Sequence, residues 1–490
     1  MAIIVFFGIL AASILLAALS VRGVLKSDMN ELMTASGSFG AFLMFFLSVG
    51  EIYSIGTLIG TPGAIYSKGA NYIVWFICYI LLAYPIGYFI NPYILKMGKL
   101  AKANTFCDVI GWRYNSKLLQ IVAAVIAIMF LVPWVQNQFA GMTILFKYLN
   151  LGIGVTTGIV ISIVLAFTYI AIAGIRAPAW VSILKDILLI SAVVIVGTVC
   201  ILKTPGGVGG IFAKTIEVAP KTLTVQPSAI PNTISTIAFQ MLGFYMLPFT
   251  FQATLTAKNG RILRKNSILM PLYMIMMPFL VISAYFAAFN FKNLASADHA
   301  LLAVAVNTLP SWVVGLVAGG GALTAILVMA FTALCVGGLF SKNILGILKP
   351  DLSDKSMTSI TRLVTALFLA ASAVFSIYFP ALMLGVIALA YSGLTQIFVS
   401  VFFGFTWKRA TKWGIIAGLV VSIISIFLIK SVPFGISKGL VGLIINFAVT
   451  IVVSLLTKTD TEAELRFEQL NTKNAVNTVA IPDQIDVETV

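Results

Sequence analysis

The stretch GEIYSIGTLIGTPGAIY, residues 50–66, lies inside the apolar segment 39–66 yet holds Glu51, Gly56, Gly60, Pro62 and Gly63. Glycine weakens a helix interior, and proline removes an i→i−4 hydrogen bond and clashes with the preceding turn. In lipid such a break persists only where protein or a water-lined cavity satisfies the freed backbone groups. The sequence therefore predicts a helix that unwinds near residues 56–63 at membrane depth. Unwound backbone of this kind offers carbonyls to cations and half-helix N-termini to anions. A glycine-rich helix packed closely on a neighbour would need no ligand; the proline and the acid favour a site.

The rest of the composition agrees. The chain is 60% hydrophobic and 10% charged, with a mean hydropathy of +1.06, whereas soluble domains are nearer half apolar and a quarter charged. Runs of about 20 apolar residues recur, the length that spans a hydrocarbon core. This is an all-α polytopic membrane protein, and a soluble enzyme is excluded. The net charge of +15 is spread over short connections between apolar runs, which is how membrane proteins set orientation; no nucleic-acid patch is present. Cys78, Cys107, Cys200 and Cys335 lack metal-ligand spacing and read as buried and reduced, and the single His299 reads as a solvated loop residue. No metal site and no cofactor are expected.

About thirteen spans follow in order: 1–20, 39–66, 71–95, 118–146, 155–173, 179–202, 231–256, 267–289, 312–340, 363–378, 382–405, 414–429 and 439–456. The first lacks a preceding basic region and so reads as a span, not a signal peptide. With the N-terminus outside, Arg22, Arg113, Arg176, Arg261, Arg264, Arg362, Arg409 and Arg466 all fall on the cytoplasmic side, the asymmetry expected of a multi-pass plasma-membrane protein. The tail 458–490 then lies in the cytoplasm, as a short helix followed by disorder.

The seventh span is interrupted like the second: QMLGFYMLP carries Gln240, Gly243 and Pro248. Interrupted spans at matching positions of two inverted halves mark a secondary-transporter site. The expected organisation is an extra N-terminal helix and loop (1–35), core repeat 1 (36–202), a Gly/Pro-rich external loop (203–229), core repeat 2 (230–407), two C-terminal helices (408–457) and the tail.

Several motifs carry a resemblance. LIGTPGAIYSKG (58–69) resembles the first core helix of the sodium/solute symporter family, with pantothenate and proline permeases nearest. QFAGMTILF (138–146) resembles the third core helix, and FTWKRATKWG (405–414) a turn near the family's C-terminus. YIAIAGIRAPAWVSILKDIL (169–188) is similar to the signature Y-x-x-x-G-G-x-x-A-x-x-x-T/N-D-x-x-Q. The resemblance covers about residues 35–415 and implies a LeuT-like 5+5 inverted-repeat core that moves a small solute by alternating access.

The departures from the family concern its sodium site. There, two backbone carbonyls of the first core helix, which align with Gly50 and Tyr53, join hydroxyls of the eighth and a carboxylate of the fifth. Here the hydroxyl pair falls at Ala330 and Phe331, with Thr332 one residue away. The aspartate position is Ser182 and the glutamine position is Lys185. A hard cation wants oxygen ligands and negative charge; this chain has lost both and gained an ammonium. Ser182 and Lys185 are three apart and share a helix face, so Lys185 can take the ion's place, as a lysine does in some proton-coupled transporters of this fold. The alternative is a lysine snorkelling to the cytoplasmic interface. Glu51 is a second coupling candidate, because intramembrane acids are costly and usually functional. Asp186, adjacent to Lys185, reads as interfacial.

Gly56, Thr57, Gly60, Gln136, Gln240, Gly243, Tyr245 and Gln396 are the candidates for binding solute, each polar group weighed against a role as interhelical glue. The function read from the sequence is a secondary active transporter importing a small organic solute (an amino acid, carboxylate or similar), coupled to protons or sodium-independent. The alternatives are sodium symport through a displaced ion site and, in another class, a membrane solute sensor. A channel is disfavoured, since two matched helix breaks suit an occluded site.

Overall fold

A computed structural model of the protein describes residues 1–20, 28–149, 154–378, 383–429 and 432–472. Among these, every regular element is a helix, apart from one isolated bridge between Phe39 and Ala257. It opens with α1 (Ala2–Leu19), α2 (Met29–Thr34) and α3 (Ala41–Ile52). α4 (Thr61–Lys68), α5 (Ala70–Leu100), α6 (Phe106–Arg113), α7 (Lys117–Leu149), α8 (Val155–Ala173) and α9 (Arg176–Lys203) follow. Next come α10 (Gly207–Val218), α11 (Ile230–Gly243), α12 (Pro248–Leu255), α13 (Gly260–Leu269), α14 (Met277–Asn290) and α15 (Ala300–Thr308). Then α16 (Ser311–Phe340), α17 (Gly346–Leu348), α18 (Asp354–Tyr378), α19 (Met383–Leu394) and α20 (Ile397–Thr406) complete the core. α21 (Lys412–Leu428), α22 (Lys438–Leu456) and α23 (Thr461–Asn471) end it.

Ten helices among the described residues are long and apolar enough to cross a membrane. The bent pair across Leu247 makes eleven, and Ala41–Gly50 and Lys412–Leu428 are apolar but shorter. Thirteen spans are reached only if both shorter segments also cross. Other differences from the sequence reading are local. The expected loop 203–229 contains α10, and α13 begins the eighth span several residues before 267, joined to α14 through a 3₁₀ stretch, Met270–Met276. α2, α6 and α15 are additional short helices. They are too brief to show a periodic apolar signal in sequence.

α16 is the hub. Nearly every residue from Val313 to Leu339 is buried, as expected of a helix that is apolar all round. It packs against α1, α7, α9 and α18. Gly315 lets α1 approach at backbone distance, since a Cβ there would stand 2.8 Å from Ala2 Cα, the small-residue contact by which helices associate without a hydrophobic drive. α21 and α22 form a hairpin at the periphery.

The two interrupted helices are clipped together at one end. Phe39, just before α3, receives and gives backbone hydrogen bonds across to the end of α12: Phe39 N donates to Thr256 O (2.9 Å) and Lys258 N to Phe39 O (3.1 Å). The arginine-bearing end of the bundle is tied further by Arg113, which is buried. Its Nε donates to Gly404 O (2.6 Å) and its Nη1 to Ala463 O of α23 (2.9 Å). Asp108 binds Lys342 (2.9 Å) and Asn343 (2.7 Å), joining α6 to the π-helical turn Ser341–Leu345 that follows α16.

Candidate functional site

The first break falls at Tyr53, three residues ahead of the expected glycines. Tyr53 has φ −88° and ψ 85°, which ends α3; a π-helical turn, Gly56–Gly60, then leads into α4, with Pro62 in its first turn. Pro62 stands directly after the π-helical turn, whose wider winding carries the Thr61 N–H to Gly56 O. The unwinding redirects the local hydrogen bonds. Ser54 N donates to Ile52 O (3.1 Å) and Thr57 N to Ser54 O (2.8 Å), so the carbonyls of Gly50 and Tyr53 lose their i+4 donors. The second break is at Leu247 (ψ 129°), where α11 and α12 meet at 45° after a 3₁₀ turn, Phe244–Met246. It lies inside the expected interval 240–248.

Lys185 takes up the freed carbonyls. The side chain is fully buried, and its Nζ donates to Gly50 O (3.1 Å) and Tyr53 O (3.2 Å). It does not run to the interface. The third partner was missed by sequence reasoning: Asp186 Oδ1 lies 2.5 Å from Nζ. Asp186 is buried, not interfacial, and accepts from Tyr273 Oη (2.9 Å). Neighbouring helix positions point about 100° apart, but the four-carbon lysine stem bends back far enough to close the pair. An ammonium has three donors, and here all three are used. Ser182 packs at Gly50, where an added Cβ would approach Ser182 Cβ to 2.9 Å. The glycine thus permits the close contact of α3 with α9. Ala330, Phe331 and Thr332 are buried on α16, and Thr332 Oγ1 has no hydrogen-bond partner among the described residues. The side chain of Glu51 lies outside the described residues.

The solute candidates separate into groups. Gly56 faces α7, where an added Cβ would come within 2.8 Å of Asn137 Nδ2. Thr57 is buried, Gly60 abuts Met383, and Gln136 is buried on α7. Gly243 presses on the turn between α19 and α20, with Thr395 Cβ 2.7 Å from where its own Cβ would be. Gln240 is fully buried and accepts from Trp75 Nε1 (2.8 Å), while its Nε2 has no partner among the described residues. Tyr245 turns towards α5 and α13, its Oη 4.0 Å from Met270 Sδ. Gln396 faces the C-terminal hairpin, donating to Gly439 O (3.3 Å) and accepting from Asn446 (3.3 Å). It therefore holds α20 to α22 and does not join the break region. His299 is half-buried, its ring edge-on to Tyr148 at 5.2 Å.

A cavity of about 690 Å³ opens at the end of the bundle away from the arginines, bounded by α5, α11, α19 and the start of α22. Trp75, Phe239, Gln240 and Ser392 line it, with Lys68 and Lys438 also on its wall. Aromatic rings continue inward from it: Trp75 stacks on Tyr79 (5.7 Å), Tyr79 meets Tyr391 (5.7 Å), and Tyr391 meets Trp134 (5.9 Å).

Comparison with known proteins agrees with this architecture. A model of the family described as "Sodium:solute symporter family" matches residues 32–422. The chain is 29% identical over 481 residues to an uncharacterized symporter, YhjB, of Bacillus subtilis, covering 93% of this chain and 97% of that one. It is 25% identical to a monocarboxylate transport permease protein of Rhizobium johnstonii, covering 86% and 89%. A solved Na+-coupled sialic acid symporter, in a substrate-bound outward-open state, superposes with a TM-score of 0.76 at 18% identity, over 94% of this chain and 99% of that one.

Proposed function

The chain belongs to the sodium:solute symporter family, a multi-pass transporter of small solutes with a LeuT-like fold, and from that premise we propose that it imports a small organic solute without sodium, driven by protons. The observation that carries this reading is the saturated ammonium of Lys185, held by Gly50 O, Tyr53 O and Asp186 Oδ1. Those carbonyls align with the ones that face sodium in the family. A fixed positive charge there repels a second cation, and its donors occupy the oxygens that a sodium ion would need. The ammonium bridges α3 to α9, as a bound ion would.

The rest of the mechanism follows from the two breaks. Solute enters by the vestibule at α5, α11 and α19 and is held beside the unwound segments, where Gly56, Thr57, Gly60 and Gly243 keep backbone approachable and Gln136 and Gln240 supply polar contacts. Repeats 36–202 and 230–407 rock about this point to expose it to either side. The arginine asymmetry supports thirteen crossings, an external N-terminus and a cytoplasmic C-terminus in the plasma membrane. The arginine-bearing end, tied by Arg113 and Asp108, is then the closed cytoplasmic gate.

Reconstitution into proteoliposomes tests the coupling. Uptake from a panel of amino acids and carboxylates should follow an inward proton gradient, be indifferent to replacing sodium by choline, and be lost in Lys185→Ala. Sodium-dependent uptake would return the protein to sodium coupling through a displaced site. Specific solute binding with no flux under any gradient would favour a sensor.

A further inference from the structure

We propose that the solute taken by the outer vestibule is a small organic anion, a carboxylate, received through one of its oxygens by the amide nitrogen of Gln240. The proposal rests on the reading of this cavity as the solute path. Its first support is the fixed orientation of the Gln240 amide. An indole nitrogen is a donor only, so the group 2.8 Å from Trp75 Nε1 is Oε1. The carbonyl end is thereby occupied, and the end left without a partner among the described residues is the NH₂. Gln240 is fully buried yet lines the cavity. A buried donor without an acceptor is unfavourable, and a ligand oxygen relieves it, whereas a ligand ammonium would meet donor against donor.

The second support is the charge of the wall. Lys68 and Lys438 line the cavity, and among the described residues no Asp or Glu does. Both lysines are exposed, so they stand at the mouth, within about one Debye length (~8 Å) of an arriving ion. A cleft of one sign raises the local concentration of the opposite ion. Tyr72, Trp75 and Phe239 complete the wall with apolar rings suited to a short hydrocarbon chain. A cation would find no carboxylate on this wall among the described residues.

The experiment uses the full chain in proteoliposomes, with labelled pyruvate as the probe and lactate, propionate, proline and glucose as competitors or alternative substrates. Pyruvate uptake should be inhibited by lactate and propionate and not by glucose. Gln240→Glu, which turns the donor into an acceptor in the same volume, should reduce pyruvate uptake at least tenfold. The exposed pair Lys68→Glu/Lys438→Glu, which does not threaten the core, should raise the KM for pyruvate roughly tenfold at low ionic strength, and by much less at high salt. The proposal is overturned if the double variant has the wild-type KM at low salt, or if proline or glucose is carried while none of the three carboxylates is carried or inhibits. In the latter case Gln240→Glu separates the two levels. Loss of proline or glucose uptake keeps the vestibule as the solute path and discards only the anion; unchanged uptake discards both.

Discussion

Lys185→Ala is the most informative perturbation of this structure. Both members of the pair are buried, Lys185 at 0% and Asp186 at 1% exposure. Removing one partner of a buried ion pair costs roughly 3–5 kcal/mol, because a charge is left uncompensated. The carbonyls of Gly50 and Tyr53 also lose their donor, but coupled losses at one site do not add, so the whole cost stays at about 3–5 kcal/mol. Lys185→Ala should therefore melt well below wild type, and Lys185→Met/Asp186→Asn should recover much of the loss, since the second change removes the stranded charge. The same truncation leaves two carbonyls and a carboxylate around a vacated volume, an all-oxygen set suited to a hard cation. Sodium at ten times its dissociation constant would then stabilise Lys185→Ala by about 1.4 kcal/mol, while wild type stays indifferent. The assay is thermal unfolding of purified protein in detergent, in sodium chloride against choline chloride. A single variant as stable as wild type, or a double variant less stable than the single, would refute the reasoning; so would stabilisation of wild type by sodium.

Three further outcomes are expected. Gly243→Leu should lower solute uptake at least tenfold while the protein still elutes as a folded species, because Thr395 Cβ lies 2.7 Å from the site of an added Cβ and the contact of α11 with that turn must open; near-normal uptake would remove the second break from the solute path. Burial pushes the Glu31 carboxyl up, but the hydrogen bonds from Arg176 and Ser36 and the Arg176 charge outweigh it and hold the group below its ordinary value. A depressed carboxyl stabilises the fold above its unfolded value of about 4.3 and loses that contribution as pH falls through the folded value, so melting temperature should fall over that acid range in wild type and be flatter in Glu31→Gln. Arg113→Ala removes donors to Gly404 O and Ala463 O and the contact with the Phe467 ring at 5.0 Å. It should cost about 3 kcal/mol and expose the segment before α23 to limited proteolysis; unchanged protection would show that α23 is held without it.

Much of the surroundings of Lys185 was legible in the sequence, for a physical reason. Glycine, proline and an acid inside an apolar run violate the rules for a lipid-exposed helix, so a break had to be near. An intramembrane lysine three residues from Ser182 had to face a neighbour or reach for the surface. What the sequence misplaced was the position of the first break. Gly56 and Pro62 are compatible with helix once it restarts, whereas Tyr53, a residue with no breaker character, carries the non-helical dihedrals because the carbonyls it turns outward are taken by α9. Gln396 and Gln240 look alike as polar residues on apolar helices. Only the packing of α22 beside one and the cavity beside the other separates a structural amide from one with a free donor.

Composition and periodicity by themselves determined a polytopic helical bundle with interrupted helices, because span length is a local property answering to the bilayer. Tertiary structure alone decided the partner of Lys185. Helix geometry sets Asp186 about 100° away from its neighbour, and a face diagram sends it elsewhere. The pair closes because Tyr273 and the end of α3 wall off both groups from water, and in that low dielectric two opposite charges cannot remain apart.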